Sequence, residues 1–352
     1  MPSIYHDVPR DVQLALTDFS TAFDAAFALG DVDQWAAQLG VVNISDAIRT
    51  TYPIPISSAG YKLRDGDDKL RRLYERSMSM SPVEWYDGVQ ELARVIESDK
   101  GDFIGWGNAP AEMAAEAVRF PNVLVADVLA SNPLLDFYRI EHPGGSVAST
   151  INLFHASHPV NVLDSGYGTF DNDWADGDTV QGETVPDEIN AVLVRQCRRH
   201  FRSINGPNGR PLGLRFGGFL VPAAQEEAAL DAFARDAVIE ALQNVAGSEN
   251  VAAAAMPNRH FGTQILVADE LTGDLPSGAS GDGDTIYAFA TKQGGMAPPP
   301  WVVQRRSAPE EIRYDKTDAK YKDTGFVGVK EVIEMAAAAA LPHAIVRINL
   351  SS

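Results

Sequence analysis

The fold of this chain depends on whether the stretch FVGVKEVIEMAAAAALPHAIVRINL, residues 326–350, forms a helix or a strand. Residues 329–341 are rich in alanine and glutamate, which are good helix formers, so propensity alone predicts a helix. Tertiary context can override propensity when a segment is paired within a long sheet. The rest of the sequence therefore has to decide between the two structures.

Upstream of that stretch, short apolar runs alternate with helical patterns. Residues 217–223 (GGFLVPA) are typical of a buried strand, and residues 224–242 (AQEEAALDAFARDAVIEAL) have the apolar spacing of an amphipathic helix. Residues 261–271 and 285–291 predict two further strands, and a helix is expected over residues 186–203. This alternation indicates an α/β layer in the second half of the chain.

The N-terminal part of the chain predicts projecting segments. Residues 18–29 form an amphipathic helix with Phe19 and Phe23 on one side, and residues 34–39 form a shorter helical segment. Residues 51–96 are rich in proline and turn formers at first and extended afterwards, which predicts a long protruding hairpin. The hairpin has too few large apolar residues for its own core, so we expect it to lie against a neighbouring copy.

A further helix is expected to begin at Asn108. Asn108 is a suitable N-cap residue, and Pro110 fits the first helical turn. Pro121 is expected to break or kink this helix because proline has no amide N–H to donate. A second apolar run, NVLVADVLASN, follows over residues 122–132.

The charge balance limits the classes of partner. The 48 acidic and 29 basic residues give a formal net charge of -19, which argues against a protein whose main task is to bind nucleic acid. Basic residues cluster in KLRRLYER, residues 69–76, and in RQCRRHFR, residues 195–202. Each cluster is either a solvated helix face or a subunit contact against an acidic neighbour.

The sequence also predicts the compartment of folding. The single cysteine, Cys197, has no partner for an internal disulfide, which is typical of folding in a reducing cytoplasm. The first residues lack the basic end and apolar run of a signal peptide. No apolar span of about 18 residues occurs, so we expect no membrane partner.

Motifs that could carry chemistry are weak. His155 and His158 would share a helix face and could bind one zinc ion, but Pro159 favours extended backbone at His158, so the pair is expected to diverge. Ser146 in GGSVA lacks the following helix that a nucleophile elbow needs. The acidic run DNDWADGD, residues 171–178, departs from the EF-hand pattern at two positions. We therefore predict no catalytic site, no cofactor and no metal, with His155 and His158 as the weak metal candidates.

Four segments carry a resemblance to a known family. The order and spacing of LFHASHPVN, NGRPLGLR, FLVPAAQEEAALDAF and PWVVQRRSAPEEIRY resemble the Mu-like major head subunits of tailed bacteriophages, which have the Hong Kong 97-type capsid fold. That family has a Phe-x-x-x-His-Pro loop before a helix, then a Gly-Arg-Pro-Leu-Gly turn and a Val-Pro-Pro-like strand end. The matching positions here are Phe154, His158 and Pro159, then residues 209–213, then Val221 and Pro222, with Ala223 where the second proline is usual. The similarity covers roughly the last two thirds of the chain.

The resemblance implies an α+β fold, the Hong Kong 97-like phage capsid fold. Its parts would be an N-terminal arm over residues 1–49, an extended loop (a long β-hairpin) over residues 50–97, a peripheral domain with a spine helix from residues 98–140 and 298–341, and an α/β axial domain from residues 141–297 and 342–352. The spine helix would cover residues 108–131. In this layout much of residues 329–341 is strand, so we expect strand there despite the helix propensity.

The function implied by the resemblance is structural and not enzymatic. The chain would be the major capsid protein of a tailed double-stranded DNA bacteriophage, assembled in the bacterial host cytoplasm into the pentamers and hexamers of an icosahedral virion capsid. Its partners would be further copies of itself, portal and scaffolding or decoration proteins, and packaged double-stranded DNA in non-specific proximity. The expected inter-subunit contact candidates are Phe19, Phe23, Lys62, Arg64, Arg71, Arg72, Arg76, Trp85, Arg305 and Arg306.

Two alternatives remain open from the sequence. One keeps the fold and makes the protein an encapsulin-like shell of a cellular compartment that packages an enzyme. The other is a metal- or serine-dependent hydrolase that would use His155, His158 and Ser146.

Overall fold

A computed structural model of the chain describes residues 10–30, 34–55, 75–98, 106–135, 140–142, 145–147, 151–161, 165–206, 209–233, 237–241, 253–257, 263–292, 299–306, 308–315, 318 and 324–350. The α-helices in these ranges are α1 Arg10–Leu29, α2 Trp35–Leu39, α3 Ala93–Ser98, α4 Ala109–Ser131, α5 Ala191–Ser203 and α6 Glu226–Phe233. Among the described residues, no helix is long and apolar enough to span a bilayer.

The strands of the described residues are, in chain order, β1 Val41–Ile44, β2 Thr50–Pro55, β3 Glu75–Met80, β4 Val83–Leu92, β5 Ile140–His142, β6 Gly145–Val147, β7 His158–Pro159, β8 Thr169–Phe170, β9 Asp173–Ala175, β10 Thr179–Val180, β11 Glu183–Thr184, β12 Leu214–Val221, β13 Ala237–Ala241, β14 Ala253–Pro257, β15 Gln264–Val267, β16 Gly273–Asp274, β17 Ser280–Gly281, β18 Thr285–Lys292, β19 Trp301–Arg305, β20 Glu310–Tyr314, β21 Phe326–Ala339 and β22 Ile345–Asn349. Short 3-10 turns cover Ser165–Tyr167, Ala223–Gln225, Asp269–Leu271 and Pro342–Ala344.

The chain divides into two compact units, each built from separate segments. The first unit contains Met1–Thr50, Ser79–Val125 and Val303–Ala338, and the second contains Thr51–Met78, Ala126–Val302 and Ala339–Ser352. The last segment of the first unit, residues 303–338, has nearly the same bounds as residues 298–341, the second segment predicted for the peripheral domain. The predicted N-terminal arm, residues 1–49, falls within the first unit and does not form a division of its own.

Strand β21 is the centre of the first unit's sheet, whose order is β1-β19-β21-β20 with β4 also pairing with β21. The strand expected over this stretch is confirmed, and the helix predicted by propensity does not form. β21 runs antiparallel to β4 from Phe326 opposite Leu92 to Met335 opposite Val83, and antiparallel to β20. A Cβ atom on Gly328 would lie 2.4 Å from the carbonyl oxygen of Val89, so this close pairing requires glycine.

Helix α1 supplies much of the first unit's core. It buries an apolar face that packs with residues of α3, α4 and β21, and the buried members of this core are Val12, Leu16, Phe19, Phe23, Ala93, Ile96, Met113, Ala114, Val327 and Val329. The apolar face of α1 is therefore covered by its own chain, while the role of residues 1–49 as an N-terminal arm stays a prediction. The sheet formed by distant parts of the chain provides the apolar surface that the N-terminal sequence lacks.

Helix α4 continues without a break through Pro121. Of the break or kink expected at Pro121, the break does not occur, because buried side chains on both sides of it, including Val118 and Leu124, hold the helix together. The side-chain oxygen of the next residue, Asn122, accepts a hydrogen bond from the amide of Ala36 at 3.1 Å. This tertiary bond and the burial offset the roughly 3 kcal/mol that a proline costs inside a helix.

The second unit is built on a mixed sheet of order β15-β12-β18-β22-β9. β12 is parallel to β15 and antiparallel to β18, and β22 is antiparallel to β18 and parallel to β9. The strands predicted over residues 217–223, 261–271 and 285–291 are confirmed as β12, β15 and β18. Buried residues of α5 and α6 pack with this sheet in one core.

Two helix predictions in the second unit need correction. The helix predicted from residue 186 begins at Ala191, because the side chain of Asn190 caps it by accepting hydrogen bonds from the amides of Val192 and Leu193 at 2.9 and 3.2 Å. The helix predicted over residues 224–242 ends at Phe233, and residues 237–241 form strand β13, paired antiparallel with β14.

The extended loop is described only at its ends, where β2 and β3 pair with each other as the predicted hairpin requires. Residues 56–74, the middle of the predicted loop, lie outside the described residues.

The inner face of β21, which contributes Val327 and Val329 to the core, also carries a charged side chain. Glu331 is 6% exposed, and neither of its carboxylate oxygens has a hydrogen-bond partner among the described residues. It stands opposite Glu311 on β20 and Asp87 on β4. Burial, together with the negative charges of Glu311 and Asp24, raises the pKa of Glu331 to about 7. On the same face, the guanidinium of Arg313 donates hydrogen bonds to the carboxylate of Glu311 and the hydroxyl of Ser20.

The Glu331→Gln variant is expected to be more stable than the parent chain at pH 8, by about 1–2 kcal/mol, because it removes a buried charge. The folded chain binds a proton at Glu331 more tightly than the unfolded chain does, so the parent gains stability as the pH falls from 8 through 7 towards 4.5. The advantage of the variant should therefore shrink over this range. Denaturant unfolding at pH 8 and pH 5 measures it, with the exposed Glu310→Gln as control. An equal effect of the two variants at pH 8 would contradict the prediction.

Candidate assembly surfaces

The loop that carries the Phe-x-x-x-His-Pro motif is built around buried rings. His158 is fully buried, its Nε2 lies 3.1 Å from the carbonyl oxygen of Leu153, and its ring stacks on Phe170 with centroids 5.0 Å apart. Phe170 in turn lies 4.5 Å from the ring of His343. Burial lowers the pKa of His158 to about 4 and that of His343 to about 3, so both rings are neutral at physiological pH.

Asn172 fixes this loop to the C-terminal part of the second unit. Its Nδ2 lies within hydrogen-bond distance of three carbonyl oxygens, those of Leu153 at 2.9 Å, Pro342 at 3.2 Å and Ile345 at 3.3 Å. Its Oδ1 accepts a hydrogen bond from the amide of His155 at 3.0 Å. The motif thus serves to join chain segments that are about 170 residues apart in sequence.

Each of the two candidate metal-binding histidines has one ring nitrogen engaged in a hydrogen bond within its loop. The His155 and His158 rings are 5.8 Å apart at their centroids, in an edge-to-face arrangement. His155 Nδ1 accepts a hydrogen bond from the amide of Ser157, and a hydrogen bond to Leu153 requires the proton on His158 Nε2, which removes that lone pair. In the part of the chain that the structure describes, no group of three or more His, Cys, Asp or Glu side chains is placed to hold a metal ion.

The hydrolase alternative lacks its geometry as well. Ser146 lies in the middle of strand β6, paired with Glu141 of β5, and not at a sharp turn between a strand and a helix.

The acidic run over residues 171–178 forms an internally bonded turn. Asp171 accepts from the amide of Asp173 at 2.9 Å, and Asp178 accepts from the amide of Ala175 at 2.7 Å. Asp173 binds Arg347 through two hydrogen bonds of 2.8 Å. Burial raises the pKa of Asp171 to about 6. These carboxylates stabilise a loop beside β22.

Two of the expected inter-subunit residues belong to the chain's own core. Phe19 and Phe23 are 1% and 3% exposed, and Phe19 packs edge-on against Trp106 with ring centroids 5.4 Å apart. Because both rings are covered by the same chain, they offer no surface to a neighbour. Sequence reasoning placed them at an interface because their partners in β21 are about 300 residues away.

Trp85 is held within the first unit. Its Nε1 donates to the carbonyl oxygen of Met335 at 3.0 Å, and its ring lies edge-on to Phe120 with centroids 5.3 Å apart. The indole therefore has a structural role at the inner face of the sheet, and a contact with a second copy stays a prediction.

Arg306 is also engaged inside the first unit. Its Nη1 lies 2.9 and 2.6 Å from the two carboxylate oxygens of Glu334, and its Nε donates to the carbonyl oxygen of Asp46 at 3.3 Å. The hydrogen bond to Glu334 raises the pKa of the Arg306 guanidinium. The neighbouring Arg305 is partly exposed, and its carbonyl oxygen accepts from the amide of Ser45 at 3.0 Å.

The structure does not describe the side chains of the other five predicted contact residues. Lys62, Arg64, Arg71 and Arg72 lie outside the described residues, and Arg76 is described only as part of strand β3. Their role in a contact stays a prediction.

Sequence reasoning missed an exposed apolar surface at the edge of the first unit's sheet. Strand β1 is the terminal strand of this sheet, and its Val42 and Ile44, on one face, are 37% and 60% exposed. Ile48, shortly after β1, is 75% exposed. We call these three residues the edge patch. The apolar residues Val42 and Ile44 on either side of Asn43 were a signal for it, but a strand of four residues is too short for its pattern to predict which face is exposed.

Comparison with solved protein structures shows which fold this chain has. No family model and no curated protein matches the sequence. The chain is similar in structure to the protein in the mature capsid of bacteriophage PhiM1, with a TM-score of 0.50 and 10% identity over 91% of this chain and 88% of that chain. It is also similar to the procapsid protein of bacteriophage JBD30 (TM-score 0.48, 12% identity, 98% and 77% of the two chains) and to the capsid of the empty GTA particle (TM-score 0.45, 13% identity, 91% and 92%).

The chain has the α+β fold of a phage capsid protein. The similarity to the PhiM1 capsid covers most of both chains, and it confirms the α+β phage capsid fold that the sequence motifs implied. The identity is too low to define more than the fold.

Asn172→Ala is expected to lower the free energy of unfolding by about 2–4 kcal/mol, because it removes the hydrogen bonds of a buried side chain to carbonyl groups and to the amide of His155. Thermal or denaturant unfolding of the purified chain measures the change. Asn152→Ala, which removes one hydrogen bond of 2.8 Å to Asn132, serves as control and should cost about 1 kcal/mol. A loss at Asn172 no larger than that at Asn152 would show that Asn172 does not fix the loop.

Proposed function

We propose that this chain is the major capsid protein of a tailed double-stranded DNA bacteriophage. Copies assemble into the pentamers and hexamers of an icosahedral shell that encloses the genome, and the protein is located in the virion capsid after assembly in the host cytoplasm. The observation that carries the proposal is the fold, which matches a mature phage capsid protein over most of the length of both chains.

The exposed surface of the first unit supports the proposal that copies of this chain assemble. The edge patch combines exposed apolar side chains with a terminal strand, an arrangement that favours association with another chain. Burying one large apolar side chain stabilises a contact by about 1.5–3 kcal/mol, and a shell repeats each contact many times. A second copy of this chain is the partner that the proposal assigns to the edge patch.

The proposal extends to the genome and to accessory proteins. A net charge of -19 keeps the protein from gripping double-stranded DNA tightly, which suits a genome that has to enter and leave the shell. Portal and scaffolding or decoration proteins are the expected accessory partners.

Expression of the full chain tests the proposal. Sedimentation followed by negative-stain microscopy should show closed icosahedral particles built from pentamers and hexamers. A chain that stays monomeric at high concentration would contradict it. Particles that enclose a protein cargo and no DNA would instead favour the encapsulin-like compartment.

The double variant Ile44→Asp and Ile48→Asp is expected to reduce the particle yield at least tenfold, because burying a carboxylate in an apolar contact costs several kcal/mol. Its folding should not change, since both side chains are exposed in the single chain. Sedimentation measures the yield, and circular dichroism checks the fold. The double variant Ile44→Val and Ile48→Val keeps the apolar surface and should assemble like the parent. Normal assembly of the Asp variant would exclude the edge patch from the shell contacts.

A further inference from the structure

Helix α5 has two chemically different faces. Leu193, Val194, Cys197 and Phe201 are buried against the second unit's core. The opposite face is exposed and carries four arginines, Arg195, Arg198, Arg199 and Arg202. This face is strongly basic in a chain whose net charge is -19.

Two of these arginines, Arg195 and Arg199, are neutralised by Glu183. Glu183 accepts hydrogen bonds from Arg195 at 3.2 Å and from Arg199 at 2.8 Å, and these arginines lower the pKa of its carboxyl group. Arg198 and Arg202 have no ion-pair or hydrogen-bond partner for their side chains among the described residues. They are four residues apart, so they lie side by side on the exposed face. We call these two residues the arginine pair.

The helix dipole explains part of this arrangement. Arg202 lies in the last turn of α5, where a positive charge is stabilised by about 0.3–1 kcal/mol. Arg198 lies one turn earlier, and the dipole effect falls off within the last turn, so helix electrostatics account for one arginine and not for the pair.

The charge of the whole chain favours one kind of partner. Copies with a net charge of -19 repel each other, so a stable contact between them has to bring free cations against carboxylates. Free carboxylates are available on the same unit: Glu226 and Glu227, at the first turn of α6, are exposed and have no partner among the described residues. A second copy therefore presents the complement that the arginine pair needs.

We infer that the arginine pair, Arg198 and Arg202, is a contact surface between copies, which binds exposed carboxylates on the second unit of another copy. The inference rests on the proposed function and specifies one of its contacts. Packaged DNA is the less favoured partner, because two arginines in a strongly acidic chain supply little of the clustered positive charge that phosphate binding needs. Exposed ion pairs contribute little energy one by one, so this contact sets the orientation of neighbouring copies more than their affinity.

Charge reversal of the pair tests the inference. The variant Arg198→Glu with Arg202→Glu is compared with Arg94→Glu with Arg215→Glu, which reverses two other exposed arginines and changes the net charge by the same amount. Sedimentation, microscopy and the nucleic-acid content of particles are measured for both variants and for the parent chain, and circular dichroism confirms the fold. The neutral variant Arg198→Gln with Arg202→Gln is measured alongside, in case charge reversal prevents folding.

The expected result is that the parent and the control variant form particles, while charge reversal of the arginine pair lowers the particle yield at least tenfold. The neutral variant should give an intermediate yield, because it removes the attraction to the carboxylates without adding repulsion. Equal yields from the two charge-reversed variants, or normal particles with less DNA, would overturn the inference and leave the proposed function intact. Failure of the parent chain itself to form particles would instead reject the proposed function.

Discussion

The structure of the first unit depends on the pairing of β21 with strands on both of its edges. The helix propensities of ordinary residues differ by at most about 0.7 kcal/mol, so the alanines of residues 336–340 favour a helix only weakly. A helix at this position would leave β4 and β20 without their central partner. Each buried backbone group without a hydrogen bond costs about 1–3 kcal/mol, and ten residue pairs join β21 to β4 alone. Pairing therefore outweighs propensity, and it also creates the face on which α1 packs.

The sequence predicted those elements whose local signals agree with their tertiary surroundings. The strands β12 and β18 are short apolar runs bounded by turn residues, and they fold as predicted. β13 was predicted as helix, because its alanine and glutamate continue the pattern of α6 without a proline or glycine to stop it. Its strand structure follows from pairing with β14, a partner that no local pattern reveals. The uninterrupted path of α4 through Pro121 has the same cause, since only tertiary packing distinguishes a tolerated proline from a helix end.

The roles of residues on the candidate surfaces depend even more on tertiary partners that the local sequence does not reveal. The motif around His158 was visible in the sequence, but its role depends on Asn172, which contacts Pro342 and Ile345 from far along the chain. Phe19 and Phe23 look like exposed contacts when α1 is considered alone, and they become core residues once β21 supplies a surface for them. The edge patch was missed for the opposite reason. Val42 and Ile44 resemble ordinary buried strand residues, but in the structure they are exposed on a strand at the end of the sheet.

When copies of an acidic chain assemble, one kind of interaction supplies the attraction and another fixes the relative orientation of the copies. In the proposed shell, the net charge of -19 opposes association at long range, so the free energy of assembly would come from short-range burial of apolar surface such as the edge patch. An apolar contact is not directional, and alone it would allow several relative positions of two copies. Isolated charges of opposite sign remove this freedom, because a misplaced copy brings carboxylates against carboxylates at a cost of several kcal/mol. A few uncompensated arginines on an acidic surface can thus select one arrangement of neighbours, although each ion pair is worth at most about 1 kcal/mol.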